Sequence, residues 1–145
     1  MTLHEMQRRL DKFEILQEVR LTIEETAETI ADFNRKQLFA GKRSTGTDIK
    51  PEYAAFTILI KDQKGQPTDR VTLKDTGEFY EDIEVDVNSE TFELISTNEK
   101  TEDLKAKYGQ RILGLSDNNK SEYVEFTFFP ALRARVTKKL GFKFS

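Results

Sequence analysis

The chain has 145 residues, 34% of them charged, with a net charge of −3 at pH 7, one His, no Cys and no Trp. Zero Cys removes disulfides, thiolate nucleophiles and Cys-ligated zinc, and one His removes any site built on two imidazoles. No apolar run approaches the ~18 residues of a membrane span, Met1-Thr2-Leu3-His4-Glu5 begins no signal peptide, and the length predicts one domain over 1–145, with 11 Phe and 4 Tyr to anchor its core.

Residues 1–40 read as a helical N-terminal segment. Thr2 followed by Glu5 fits a capping box, in which hydroxyl and carboxylate satisfy backbone N–H groups at a helix start. Leu3, Met6, Leu10, Phe13 and Leu16 step by three or four, and Val19, Ile23, Ala27, Ile30 and Phe33 continue the stripe. Thr22 with Glu25 forms a second candidate box, so the segment is one long helix or two in succession. Gly41–Lys50 is a loop by composition. Pro51 suits the first turn of a helix over 51–64, with Tyr53, Phe56, Thr57 and Ile60 on one face and Lys64-Gly65 ending it. Phe56 to Ile60 are also good strand formers.

After Thr76-Gly77 the period changes. Phe79, Ile83, Val85 and Val87 alternate with Tyr80, Asp82, Glu84 and Asp86, predicting a strand with one apolar and one acidic face. Glu81 interrupts the pattern, which places a turn before pairing begins. Phe92–Thr97 returns as a second strand through Asn88-Ser89-Glu90, giving a hairpin over about 79–97. Thr101–Tyr108 reads as a short helix ended by Gly109, and Ile112–Leu115 as a short third strand. Ser116 caps a closing helix over about 117–140, with stripe Phe126, Phe129, Leu132, Val136 and Leu140 and a kink or restart at Pro130. Residues 73–145 thus form a small antiparallel sheet plus a C-terminal helix. The fold class is α+β, with helices covering one sheet face.

Charge is uneven along the chain. Residues 1–73 balance at 12 acidic and 12 basic; residues 74–103 carry 11 acidic and 2 basic; residues 104–145 carry 3 acidic and 9 basic. One reading is two solvated faces that differ. The sharper one is a molecule with an acidic and a basic side, able to steer neighbours in an assembly. Nucleic-acid recognition lacks its aromatic and glycine signatures.

Catalytic readings each fail a check. Gly41-Lys42-Arg43-Ser44 lacks the Gly five residues earlier and the preceding strand of a phosphate-binding loop. His4-Glu5 lacks the second His of a zinc-protease helix. Asp75, Glu78, Glu81, Asp82, Glu84 and Asp86 offer paired carboxylates for glycoside hydrolysis, but three of them alternate on a wet strand face rather than in an apolar pocket. Calcium-loop spacing is missing as well. Neither a catalytic residue, a metal ligand nor a cofactor is predicted.

Leu73–Ile83, LKDTGEFYEDI, resembles the "L-x-x-T-G-x-(apolar)-x-x-(Ser)-(Ile)" signature of bacteriophage virion-morphogenesis and tail-completion proteins, which build the neck between portal and tail. Leu73, Thr76, Gly77, Phe79 and Ile83 match, and Asp82 replaces the usual Ser. Arg111-Ile112-Leu113-Gly114-Leu115-Ser116 resembles the "(Phe/Ile)-Leu-Gly-Leu-Ser" start of that family's closing helix. With Gln37-Leu38, Gly41, Gly46, Pro51-Glu52-Tyr53 and Lys61, the likeness covers roughly residues 37–140. It implies a non-catalytic α+β subunit of a homo-oligomeric ring of about six or twelve copies, stacked on portal, connector and tail proteins. It also implies assembly in the host cytoplasm, a place in the virion, no membrane, and DNA only as cargo passing a lumen. Charge complementarity then predicts contacts of Asp82, Glu84 and Asp86 with Arg133, Arg135, Lys138 or Lys139 of an adjacent subunit or a connector partner, or else an acidic set that lines a lumen and repels the passing DNA. The alternative is a small non-catalytic adaptor whose N-terminal helix binds a partner.

Overall fold

Apolar spacing at the N-terminus is realised as three successive helices: α1 (Leu3–Asp11), α2 (Ile15–Glu25) and α3 (Ala27–Phe39). They belong to a computed structural model that describes residues 2–11, 14–88 and 91–141. Phe13 of the expected stripe, and Ser89 and Glu90 of the expected hairpin turn, lie outside the described residues. The Thr2–Glu5 capping box forms in full: Thr2 N donates to Glu5 Oε2 at 2.9 Å and Glu5 N to Thr2 Oγ1 at 3.1 Å. The second box does not form. Thr22 is mid-helix and its hydroxyl donates back to Glu18 O at 2.6 Å, while Thr26 bonds Thr22 O in the same way at 2.8 Å. Such back-bonding competes with the helix ladder and bends it. The helix therefore breaks at Thr26, whose φ and ψ are −102° and 12°.

α3 is the central element. Ile30, Ala31, Asn34 and Leu38 recur on one face and are buried, against a core that includes Ile83, Ile112 and Tyr123. The expected helix at 51–64 is shorter, α4 (Ala55–Gln63), with Lys64 at its C-cap and Gly65 beyond it at φ +71°. Pro51 follows a cis bond and precedes the helix. Tyr53 also stays outside α4, because its hydroxyl accepts from Thr72 N and Leu73 N at 3.0 and 3.1 Å. Of the predicted apolar face, Tyr53, Thr57 and Ile60 are half-buried, but Phe56 is exposed while Lys61 is buried.

Glu78–Glu81 forms a single helical turn, α5, in place of the first part of the expected strand. β1 (Ile83–Val87) and β2 (Phe92–Ser96) then pair antiparallel, Ile83 opposite Ser96, Val85 opposite Leu94 and Val87 opposite Phe92. Ile83 is buried and Val85 and Val87 half-buried, with Glu84 and Asp86 exposed between them, as alternation requires. α6 (Thr101–Tyr108) ends at Gly109 as the sequence predicts.

The expected third strand at Ile112–Leu115 is instead a 3₁₀ turn (Gln110–Ile112) followed by a loop whose polar backbone atoms bond side chains of α3. Ser116 caps α7 (Asp117–Tyr123) by accepting from Asn119 N at 3.3 Å. The chain continues through a π turn (Val124–Phe128) into α8 (Phe129–Leu140). Phe129 N reaches back five residues to Val124 O, and Pro130 lies in the next turn. The wider turn gives the proline ring room beside the carbonyl four residues earlier, where an α-helix would clash. One residue too many also rotates the stripe. Phe126 and Phe129, expected inside, are exposed, whereas Leu140 is buried. Among the described residues no helix is long and apolar enough to cross a membrane.

Candidate functional site

The first motif builds a loop fixed from three directions. Leu73 takes the left-handed conformation at φ +58°, which a branched side chain rarely adopts, and its side chain is buried. Tyr53 holds the two neighbouring N–H groups, and Tyr80 Oη donates to Thr72 O at 2.5 Å. Burial raises the Tyr80 phenol well above its ordinary pKa, so it stays a donor at any physiological pH. Lys61 Nζ donates to Lys74 O at 2.9 Å and lies 4.8 Å over the Tyr53 ring. Thr76 is exposed, with its Oγ1 accepting weakly from Glu78 N at 3.4 Å. Gly77 supplies φ +94° at the start of α5, and Phe79 and Ile83 enter the core. Arg35 closes the segment by donating to Tyr80 O at 2.8 Å and Ile83 O at 3.1 Å.

The second motif is held by two buried amides of α3. Asn34 Nδ2 donates to Ile112 O at 3.0 Å and its Oδ1 accepts from Gly114 N at 2.9 Å. Gln37 Nε2 donates to Gly114 O at 3.0 Å, and its Oε1 accepts from Ser116 N at 2.8 Å and Asn119 Nδ2 at 2.9 Å. Each amide is thereby satisfied on both sides. Gly114 sits at φ +131° with a Cβ position only 3.2 Å from Ser44 Cβ, and Leu115 is buried. Both loops thus converge on α3, one through Arg35 and one through Asn34 and Gln37. Asn34 escapes a sequence reading that follows apolar residues alone, although a polar residue four after Ile30 and four before Leu38 is its visible signal.

The charged sets separate into occupied and open groups. Arg135 donates to Glu18 Oε2 at 3.1 Å and Glu25 Oε2 at 3.0 Å, and Lys139 to Glu18 Oε1 at 2.8 Å. These two cations, expected to meet another subunit, instead clamp α8 to α2 within one chain, because α8 lies along α2. The Lys139 and Arg135 bonds hold the Glu18 carboxyl below its ordinary pKa despite burial. Arg133 and Lys138 are exposed, as are Glu84 and Asp86. Asp82 is half-buried and accepts from Asn98 Nδ2 at 2.9 Å.

Asp75 bonds Lys64 at 2.9 Å, which lowers its pKa, the opposite of what a general acid needs. Among the described residues no group of three His, Asp or Glu side chains is placed to hold a metal ion. Among the described residues, exposed large apolar side chains include Leu3, Leu10, Ile15 and Leu16 on α1 and α2, Phe39 on α3, Phe56, Ile58 and Leu59 on α4, Phe92 on β2, and Val124, Phe126 and Phe129 around the π turn. Comparison with known proteins finds no family model, no curated protein and no solved structure that matches the chain.

Proposed function

We propose that the chain is a non-catalytic structural subunit of the head–tail neck of a tailed bacteriophage, associating with copies of itself into a ring between portal and tail. What carries the reading is the order and spacing of two segments, Leu73–Ile83 and Arg111–Ser116, that resemble the neck-protein signatures. Physical support comes from the surface. Neighbours in an assembly would cover the exposed Phe, Leu and Ile side chains. No cofactor, metal or membrane enters this reading, and DNA is only cargo in a lumen. Glu84 and Asp86 facing Arg133 and Lys138 of an adjacent subunit remain its electrostatic part, without Arg135 and Lys139.

The test is mass spectrometry of purified virions, with the phage gene order as a check. The expected result is the chain in every particle at a ring-like copy number, encoded between portal and tail genes. Virions that lack it overturn the reading. A second reading, a small adaptor that binds through its N-terminal helix, draws on α1. That helix has no buried residue and exposes Leu3 at 84%. Absence from virions together with loss of a cellular partner on Leu3→Ser would favour it.

A further inference from the structure

α4 carries an exposed apolar face and a buried lysine. It leaves Phe56, Ile58 and Leu59 exposed at 72%, 37% and 54% while burying Lys61. Turning Phe56 inward would strip Lys61 Nζ of Lys74 O at 2.9 Å and Gln66 Oε1 at 3.3 Å, and lift it from the Tyr53 ring. The Lys61 contacts therefore favour the orientation that points this apolar face outward.

Elsewhere an open cleft of about 840 Å³ lies between α2, β2, the 3₁₀ turn and α7, with Ile23, Leu94, Leu115, Tyr123, Val124 and Phe128 among its walls. Its charged rim is Lys105, Arg111 and Lys120 against one carboxylate, Glu93. Among the described residues Arg111 and Lys120 enter no salt bridge, and Lys105 reaches Glu102 only at 3.7 Å. Asp62, exposed on α4, is likewise in no salt bridge among the described residues. The cleft is apolar with a basic rim; the α4 surface is apolar with one exposed carboxylate, Asp62, whose neighbours Lys61 and Lys64 are engaged by Lys74 O and Asp75. They share no residue.

We infer that α4 of one copy docks into this cleft of the next, Phe56 and Leu59 against the apolar walls and Asp62 toward Arg111 or Lys120. The inference rests on the subunit reading above and names its contact. Because the two surfaces differ, the contact is head-to-tail and each copy keeps one of each free, so repetition closes a ring or extends a filament. A symmetric pairing of α4 with α4 would leave the cleft uncovered and Asp62 without a cation from it, which disfavours it.

The chain has no Cys, so introduced thiols report uniquely. The full chain would be prepared as Phe56→Cys, as Val124→Cys and as the double variant, and treated with a short bismaleimide at high concentration. The expected result is a ladder from the double variant, dimers only from the mixture of single variants, and neither single variant cross-linking alone. Sedimentation of Phe56→Ser/Leu59→Ser should show association at least about tenfold weaker, with an unchanged circular dichroism spectrum. Cross-linking of Phe56→Cys by itself overturns the head-to-tail contact. Chains that stay monomeric and uncross-linked, or that associate with the Ser variant unimpaired, overturn it as well. Virion content separates the two proposals: virions that contain the chain but give no 56–124 cross-link keep the neck reading and remove the docking. A ladder from a chain absent from virions does the reverse.

Discussion

At the scale of single residues, the two loops rest on buried polar groups rather than on their own backbone ladders. Asn34 is 0% exposed and serves Ile112 O and Gly114 N with its two amide atoms. Removing it leaves a buried acceptor and a buried donor without partners, each worth about 1–3 kcal/mol. Asn34→Ala should therefore lose about 2–4 kcal/mol in urea unfolding; a loss below about 0.5 kcal/mol would mean that water reaches the loop. The two motif glycines separate strain from crowding. At Gly77 an added Cβ meets only Lys74 Cε at 3.9 Å, so Gly77→Ala should cost about 1 kcal/mol of backbone strain. At Gly114 the Ser44 contact adds to an unfavourable φ, so Gly114→Ala should cost more, and Ser44→Gly should recover only the difference. Equal costs in thermal melts would contradict the close approach. The glycines were readable in the sequence because a turn residue announces itself, whereas Asn34 was not, since its two bonds cross about eighty residues of chain.

Among the elements, the clearest dependence is that of α8 on α2. Glu18 is 2% exposed, and what meets it are Arg135 and Lys139 of α8, themselves partly in water. Its pKa is lowered in the fold, principally by the Lys139 bond. A carboxylate with a depressed folded pKa stabilises above its unfolded pKa and ceases to do so as the pH falls through its folded value. Glu18→Gln should therefore cost about 1–2 kcal/mol at pH 7, less than a deeply buried pair because both cations can resolvate. The gap to the native chain should hold at neutral pH, narrow as the pH falls through the ordinary glutamate range and close once it passes the lower folded value. A gap that stays constant to pH 3 would show that shape, not charge, is what Glu18 supplies. Where boundaries depend on local chemistry, the elements were legible: the Thr2–Glu5 box, the end of α6 at Gly109, the Ser116 cap and the alternation of β1 all follow from neighbours in sequence. Misreadings arose where distant partners decide. Thr26 shares a hydrogen bond of 2.7 Å with Tyr123 Oη at the break between α2 and α3. Tyr53 leaves α4 for the 72–73 loop, and the π turn before Pro130 shifts a stripe that a fixed period of 3.6 assumes continuous.

For the whole molecule, the structure reduces the charge separation seen in the sequence without abolishing it. Two of the four α8 cations, Arg135 and Lys139, are spent within the chain, so the contact expected between the hairpin and α8 of neighbouring copies keeps Glu84 and Asp86 on one side and Arg133 and Lys138 on the other. Exposed pairs of this kind are worth about 0.2–1 kcal/mol each, so two of them change an association constant by a few-fold, less than an apolar anchor does. Their use is orientation and encounter rate. Glu84→Lys/Asp86→Lys should thus weaken self-association about threefold to tenfold at low salt, and Arg133→Glu/Lys138→Glu in the same chain should restore most of the loss. The deficit should shrink toward nothing near 1 M salt, where screening acts over about 3 Å. Arg135→Glu is the contrasting control: it opposes Glu18 and Glu25, so its effect should fall on folding stability, and no acidic-face reversal should rescue it. If instead the two reversals simply add, the hairpin and α8 do not face each other. The apolar contact of α4 would then have to set the orientation of neighbouring copies alone.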